Sequence, residues 1–152
     1  MKAFVIALTL VLSAAYAQAQ SANMKTVMDN YARFGQGDIP GIIATLAENV
    51  SWIHPGDPRV IAYAGTYDGP AGVGQFFEKV GGSTQITVFQ PSNFRENGNT
   101  VSNDVHIEGK IIATGKTYVS DVVMNWSFAD NGMVTRWEAV GNVDSLEAAF
   151  RQ

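Results

Sequence analysis

The sequence predicts an α+β fold in which a curved antiparallel sheet wraps around helices that precede it. Three observations carry that prediction. In the first half, apolar residues recur at helical spacing, first as Met24, Val27, Met28, Tyr31 and Phe34 and again as Val73, Phe76, Phe77 and Val80. After Gly81-Gly82 the spacing changes to alternation and holds to near the end of the chain. Compact turns join the alternating segments, Asn97-Gly98-Asn99 and Asp130-Asn131-Gly132 among them. With 152 residues and neither an internal repeat nor a linker, the chain is expected to make one domain.

The first residues stand apart from that domain. Met1-Lys2 gives a short positive start, and Ala3 to Ala15 is almost unbroken apolar sequence. Ala15-Tyr16-Ala17 and Ala17-Gln18-Ala19 both fit a small-x-small cleavage rule. The run is shorter than the roughly 20 apolar residues that span a bilayer. Residues 1–19 therefore read as a secretory signal cleaved after Ala17 or Ala19. That leaves 20–152 as a periplasmic or secreted domain with no membrane partner after cleavage.

Gly35 and Gly37 are placed to end the first helix. Asp38 can cap a second, with Pro40 in its first turn and Ile42, Ile43 and Leu46 on its apolar side. Asn49 to His54 alternates as a strand, with Val50, Trp52 and His54 on one face, and stops at Pro55-Gly56-Asp57-Pro58. Ile61 to Tyr67 reads as a second short strand closed by Asp68-Gly69. Pro70 opens a third helix that Gly81-Gly82 stops. Four long strands follow: Thr84 to Arg95, Thr100 to Ile112, Lys116 to Phe128 and Met133 to Val143, with Thr114-Gly115 a turn. A short helix, Ser145 to Phe150, completes the chain. The helix stripes need a concave partner, so the sheet must curl over them, and a pocket would lie in the space between.

Alternation sorts the strand faces. In the strand from Thr100, the apolar set Val101, Asn103, Val105 and Ile107 must face inward. Asp104, His106 and Glu108 then share the outer face. They could be read as metal ligands, but ligands in a line along one strand enclose an ion poorly, and a solvated charged face is the plainer reading. In the next strand Tyr118, Ser120, Val122, Met124, Trp126 and Phe128 face inward. The opposite face mixes Val119 and Val123 with Asp121, Asn125 and Ser127, a texture that suits contact with a second copy of the chain. In the last strand Trp137 is placed inside with Met133, Thr135, Ala139 and Gly141, because Arg136 and Glu138 would be costly to bury unpaired. Small Ala139 and Gly141 leave room beside it.

Composition excludes several classes. Cysteine is absent, which removes disulfides, thiolate nucleophiles and thiolate metal sites. Loss of Lys2 with the signal leaves nine basic against fourteen acidic residues, an acidic surface that argues against nucleic acid and anionic lipid. No glycine loop has the context to cradle phosphate: Gly69 to Gly74 lacks the lysine. No cofactor and no metal are expected.

Taken together, the order of elements, Gly37-Asp38 ahead of His54-Pro55, the Gly65 and Gly69 pair, Phe76-Phe77, and Asp130-Asn131-Gly132 before the final strand resemble the nuclear transport factor 2-like superfamily, in its SnoaL-like and ketosteroid-isomerase-like branch. The resemblance covers about Met24 to Phe150. It implies a cone-shaped α+β barrel of the NTF2-like, cystatin-like kind, commonly a homodimer paired through the outer sheet face. Its members include isomerases, cyclases, hydrolases, dehydratases and non-catalytic binders. His54 before Pro55 occupies the place of the isomerases' catalytic aspartate base, and histidine can also serve as a base. Tyr31 lies one position from their tyrosine donor. Met124 stands where they carry a protonated aspartate and cannot donate a hydrogen bond. Asn142 falls near the aspartate of the cyclases and does not titrate.

Two functions are therefore expected as alternatives. One is an enzyme of isomerase or lyase type, moving a proton on a small hydrophobic, carbonyl-bearing molecule with His54 as base and no metal. The other is a non-catalytic periplasmic binder of such a molecule. The expected ligand wall is Tyr31, Trp52, Tyr63, Tyr118, Met124, Trp126 and Trp137. A domain serving only association is a third reading. Against a role in the pocket, His54 would be a structural residue capping the turn at Pro55-Gly56; Asp57 or Asp68 could orient its ring, but both lie in turns, where solvation is expected.

Overall fold

The computed structural model describes residues 22–152. The expected signal segment, residues 1–19, lies outside the described residues. Helix α1 occupies 22–36 and buries Val27 and Asn30, with Tyr31 and Phe34 packed against the core. Met28 is a correction to the expected stripe. It lies about 100° around the helix from Val27 and is 48% exposed, and Asn30 takes the buried position instead. Asn30 is satisfied there, donating to Thr45 Oγ1 at 2.9 Å and accepting from Arg33 at 2.9 Å.

Gly35 does not stop α1; Gly37 does. At φ 72° it enters the left-handed region. Its N–H donates to Phe34 O and that of Asp38 to Arg33 O, which is the Schellman pattern. Asp38 then caps α2, Ile39–Ile43, by accepting from Gly41 N at 3.0 Å. Helix α2 is too short to hold Leu46, which opens β1, Leu46–His54.

Residues 58–63 form turns rather than a strand, and β2 is only Gly65–Asp68, paired antiparallel with β1. Helix α3, Gly69–Ser83, runs through Gly81 and Gly82, so that pair does not stop it. Strands β3 (Thr84–Asn97), β4 (Thr100–Ile111), β5 (Thr117–Phe128) and β6 (Val134–Gly141) form an antiparallel meander, and α4, Asp144–Phe150, ends the fold.

The sheet order is β2-β1-β6-β5-β4-β3. The β1–β6 pairing is parallel, an exception to the expected antiparallel sheet, and the sheet stays open with β2 and β3 as its edges. The inner faces of β4 and β5 agree with the alternation: Val101, Asn103 and Val105 are buried, as are Tyr118, Ser120, Val122, Met124, Trp126 and Phe128. Strand β6 departs from it. Phe128 pairs with Val134 but Ser127 with Arg136, so Thr135 is an extra residue in a bulge. The bulge lets Val134 turn inward, 0% exposed, while Trp137 and Ala139 keep their inward places. Gly141 is exposed rather than inside; its backbone approaches β5, where an added Cβ would meet Asp121 O at 2.7 Å.

Candidate functional site

A cavity lies between α1, α3 and the concave face of the sheet, and all eight side chains singled out from the sequence line it: Tyr31, Trp52, His54, Tyr63, Tyr118, Met124, Trp126 and Trp137. Its volume is about 90 Å³. An apolar cavity of roughly 150 Å³ holds a benzene ring, so this one is narrow. A cleft of about 390 Å³ adjoins it and shares the walls Tyr31, Phe34, Ile86 and Phe89.

Register explains the tryptophan wall. Trp52 pairs with Trp137 across β1–β6, and Trp137 with Trp126 across β6–β5, which sets three indoles level on adjacent strands. Trp52 stacks on Trp137 with centroids 4.5 Å apart and planes at 17°, and Trp126 stands perpendicular to Trp52 at 5.6 Å. Phe76 and Phe77 of α3 close over Trp52 at 6.0 and 5.7 Å. These aromatic rings occupy much of the hollow.

His54 ends β1, its ring edge-on to Tyr63 at 4.9 Å. Nδ1 lies 2.8 Å from the Pro55 carbonyl. A carbonyl only accepts, so Nδ1 carries the proton and Nε2 keeps its lone pair. Burial holds the imidazole neutral, its pKa lowered to about 4, with the bond to Pro55 a smaller opposing influence. Neither Asp57 nor Asp68 orients the ring: Asp57 instead pairs with Arg59 at 2.7 Å, and the backbone carbonyl of Pro55 fixes the tautomer. That bond also caps the turn, as the structural reading of His54 expected.

Tyr31 is held at the other side of the cavity. Its hydroxyl donates to Asn103 Oδ1 at 2.8 Å and accepts from Trp126 Nε1 at 3.1 Å, with Met124 Sδ at 3.4 Å. Burial raises its pKa to about 12, against the two hydrogen bonds that lower it. Tyr118 reaches Thr84 Oγ1 at 2.9 Å. Thr84 donates its only hydroxyl proton to Lys110 O, so Tyr118 is the donor of that pair. Gly109, directly across from Tyr118, makes this possible: a Cβ there would sit 2.6 Å from the tyrosine hydroxyl. Burial, and then the Tyr118 hydroxyl beside it, pushes Tyr63 up.

Alternation did not single out Phe34, Phe76, Phe77, Phe89 or Ser120 as cavity residues, although all of them line it. Three of the phenylalanines were visible as helix stripes, and Ser120 was visible by its inward parity. What sequence spacing lacks is the register that brings them to one place. His106 stands on the outer face, with Nδ1 2.7 Å from Asp121 and Nε2 3.0 Å from Glu108. Both bonds favour the imidazolium and raise its pKa, Glu108 foremost. Asp104 faces Asn93 and Arg95 instead.

A family model described as the SnoaL-like domain matches residues 27–137. The chain belongs to the SnoaL-like domain family. Among curated proteins none matches it significantly. Solved structures do, several of them NTF2-like. One, at TM-score 0.78, is an NTF2-like protein from Burkholderia xenovorans LB400, 26% identical, covering 87% of this chain and 98% of that one. TerC co-crystallised with polyporic acid is 27% identical at TM-score 0.72, covering 87% and 100%. A proposed polyketide cyclase from Xanthomonas campestris pv. campestris is 21% identical at TM-score 0.67, covering 87% and 98%, a likeness of fold.

Proposed function

We propose that this SnoaL-like protein is exported and binds a small hydrophobic, carbonyl-bearing molecule in its aromatic cavity, with proton transfer at His54. The observation that carries the reading is the uncommitted Nε2 of His54 in an otherwise greasy wall. Its tautomer is fixed by Pro55 and its lone pair is held unprotonated at neutral pH. An imidazole so arranged can take a proton from a carbon acid or a hydroxyl. Tyr31, Trp52, Tyr63, Tyr118, Met124, Trp126 and Trp137 would form the ligand wall. The TerC structure, crystallised with polyporic acid, supports reading the cavity as a ligand site.

A specific observation favours the second reading, a non-catalytic periplasmic binder. A pKa near 4 makes His54 a weak base, and Tyr31 and Tyr118 have their protons committed to Asn103 and Thr84. Neither tyrosine is free to stabilise an oxyanion without breaking a bond.

Association through the outer sheet face is part of the same proposal: Val119 and Val140 there are 47% and 50% exposed, and Val140 pairs with Val123. Native mass spectrometry of protein purified from its own cells tests these points at once. The expected spectrum is a dimer lacking residues 1–17 or 1–19 and carrying a small bound mass. A monomer that retains Met1 and carries no adduct would refute all three.

A further inference from the structure

The cavity alone is small for a ligand of the proposed kind. At about 90 Å³ it lies well below the roughly 150 Å³ that holds one benzene ring. An occupant of any length must therefore push the walls apart or extend beyond them. The inner walls resist. Trp52, Trp126, Trp137 and Phe76 are 2–5% exposed and packed ring on ring, so shifting one opens voids among the others.

The outer wall is built differently. Tyr31, Phe34, Ile86 and Phe89 line both the cavity and the adjoining cleft of about 390 Å³, so they form the partition between the two. Phe34 and Phe89 meet there with centroids 5.0 Å apart. Phe34 belongs to the last turn of α1 and is backed by Phe77 at 6.0 Å. Phe89 belongs to β3, an edge strand held on one side only, by β4. The register of that pairing slips by one residue between Ile86 and Val88, and again between Ser92 and Arg95, where Asn93 has φ 51°. Thr87 is the extra residue of the first bulge, and it brings Ile86 and Phe89, three positions apart, to the same hollow. The segment 88–92 thus runs between two bulges with no strand on its outer side. Phe89, only partly buried, is the ring of the partition that swings aside at least cost.

The cleft beyond is bare on its α1 side. Gly35 is exposed and lines it, and a Cβ added there meets nothing within 4 Å. Its φ is not positive, so a side chain fits that backbone without strain.

We infer, resting on the reading of the cavity as a ligand site, that the occupant is an elongate apolar carbonyl compound that passes between Phe34 and Phe89. Its inner end lies in the cavity and its outer end in the cleft. His54 lines the cavity and not the cleft, so the inner end is the one it meets. Phe89 and Gly35 then set the length accepted, Phe89 by yielding and Gly35 by leaving the cleft unfilled.

The test uses a series of methyl ketones, butan-2-one, hexan-2-one, octan-2-one and decan-2-one, with affinities measured by calorimetry. On the unaltered protein, affinity should climb about three- to fourfold for each added carbon through decan-2-one, the gain from burying a methylene. Gly35→Leu fills the cleft from an exposed helix position. It should weaken decan-2-one by about tenfold or more and hold butan-2-one within about twofold. Affinity that levels off at butan-2-one in the unaltered protein overturns the inference and leaves the pocket intact. So does a Gly35→Leu variant that changes both ketones alike or neither. Failure of the unaltered protein to bind any of the series removes the pocket reading and the inference with it. Phe89→Ala, followed by tryptophan fluorescence in stopped flow, should bring decan-2-one on about threefold faster or more, because association is slow where a wall must first move. An unchanged rate would show that the ring does not bar the way and would overturn the passage between the two phenylalanines. Gly35→Leu leaves the core untouched, so it reports even if Phe89→Ala fails to fold.

Discussion

His54→Gln is expected to lower turnover by about 10²- to 10⁴-fold, the range a positioned general base contributes, with ligand affinity nearly unchanged. Glutamine keeps a polar amide near the same place but cannot take a proton at neutral pH. Loss of affinity in step with turnover would instead mark the imidazole as an anchor, and the protein as a binder. The same variant has a readout that needs no substrate. Burial lowers His54 to about 4 from its ordinary 6.5. Between those values the unfolded chain takes up a proton that the folded protein refuses, so stability falls as pH falls through that window. At full extent the loss is on the order of 3 kcal/mol. Thermal unfolding followed from pH 7 to 4.5 should therefore show a steep acid decline that His54→Gln flattens. His106 acts in the opposite sense. Its raised pKa, owed to Glu108 and then Asp121, gives stability present below its unfolded value and lost as pH rises through the folded one. Removing His54 should unmask that gain. Superimposable curves for variant and parent would mean that the ring at position 54 is solvated.

Trp137→Ala should destabilise the fold by about 3–5 kcal/mol, the range for deleting a large buried aromatic. Trp137 is 4% exposed, stacks on Trp52, and lies 5.8 Å from Phe76 and 6.5 Å from Trp126. Its loss removes the middle of the three-indole layer and merges the vacated space with the existing cavity of about 90 Å³. The enlarged hollow should bind free indole, so indole in solution should restore part of the lost Tm. Met28→Ala, at a position 48% exposed on α1, is the comparison and should shift stability by about 0.5 kcal/mol or less. A Trp137→Ala protein as stable as that control would mean the indole is not packed.

Alternation along β4 and β5 made much of this legible. It put Asn103 and Trp126 inside and His106 outside from parity alone, because one residue of slip would reverse every side chain. Local turn chemistry was equally readable at Gly37-Asp38, where the left-handed glycine and the capping carboxylate act within a few residues of each other. What spacing could not reveal was long-range. The Thr135 bulge, which turns Val134 inward, follows from pairing with β5 and leaves no mark in the composition of β6. Ile61 and Tyr63 have strand-like composition, yet they are buried within a turn because the core, not a neighbouring strand, receives them. For the candidate site, the wall residues were legible and the volume was not. The filling of the hollow by Phe76, Phe77 and the stacked indoles depends on rotamers and register together.

The parallel joining of β1 to β6 has a kinetic side. Trp52 meets Trp137, 85 positions later in the chain, so the strand that bears His54 pairs with its inner neighbour only by closing the long loop between them. Contacts of such sequence separation demand the closing of a long loop before any reward arrives, and they slow folding accordingly. Until those strands pair, Trp52 and Trp137 lack the face each stacks on in the folded protein, and exposed aromatic surface of that kind favours aggregation.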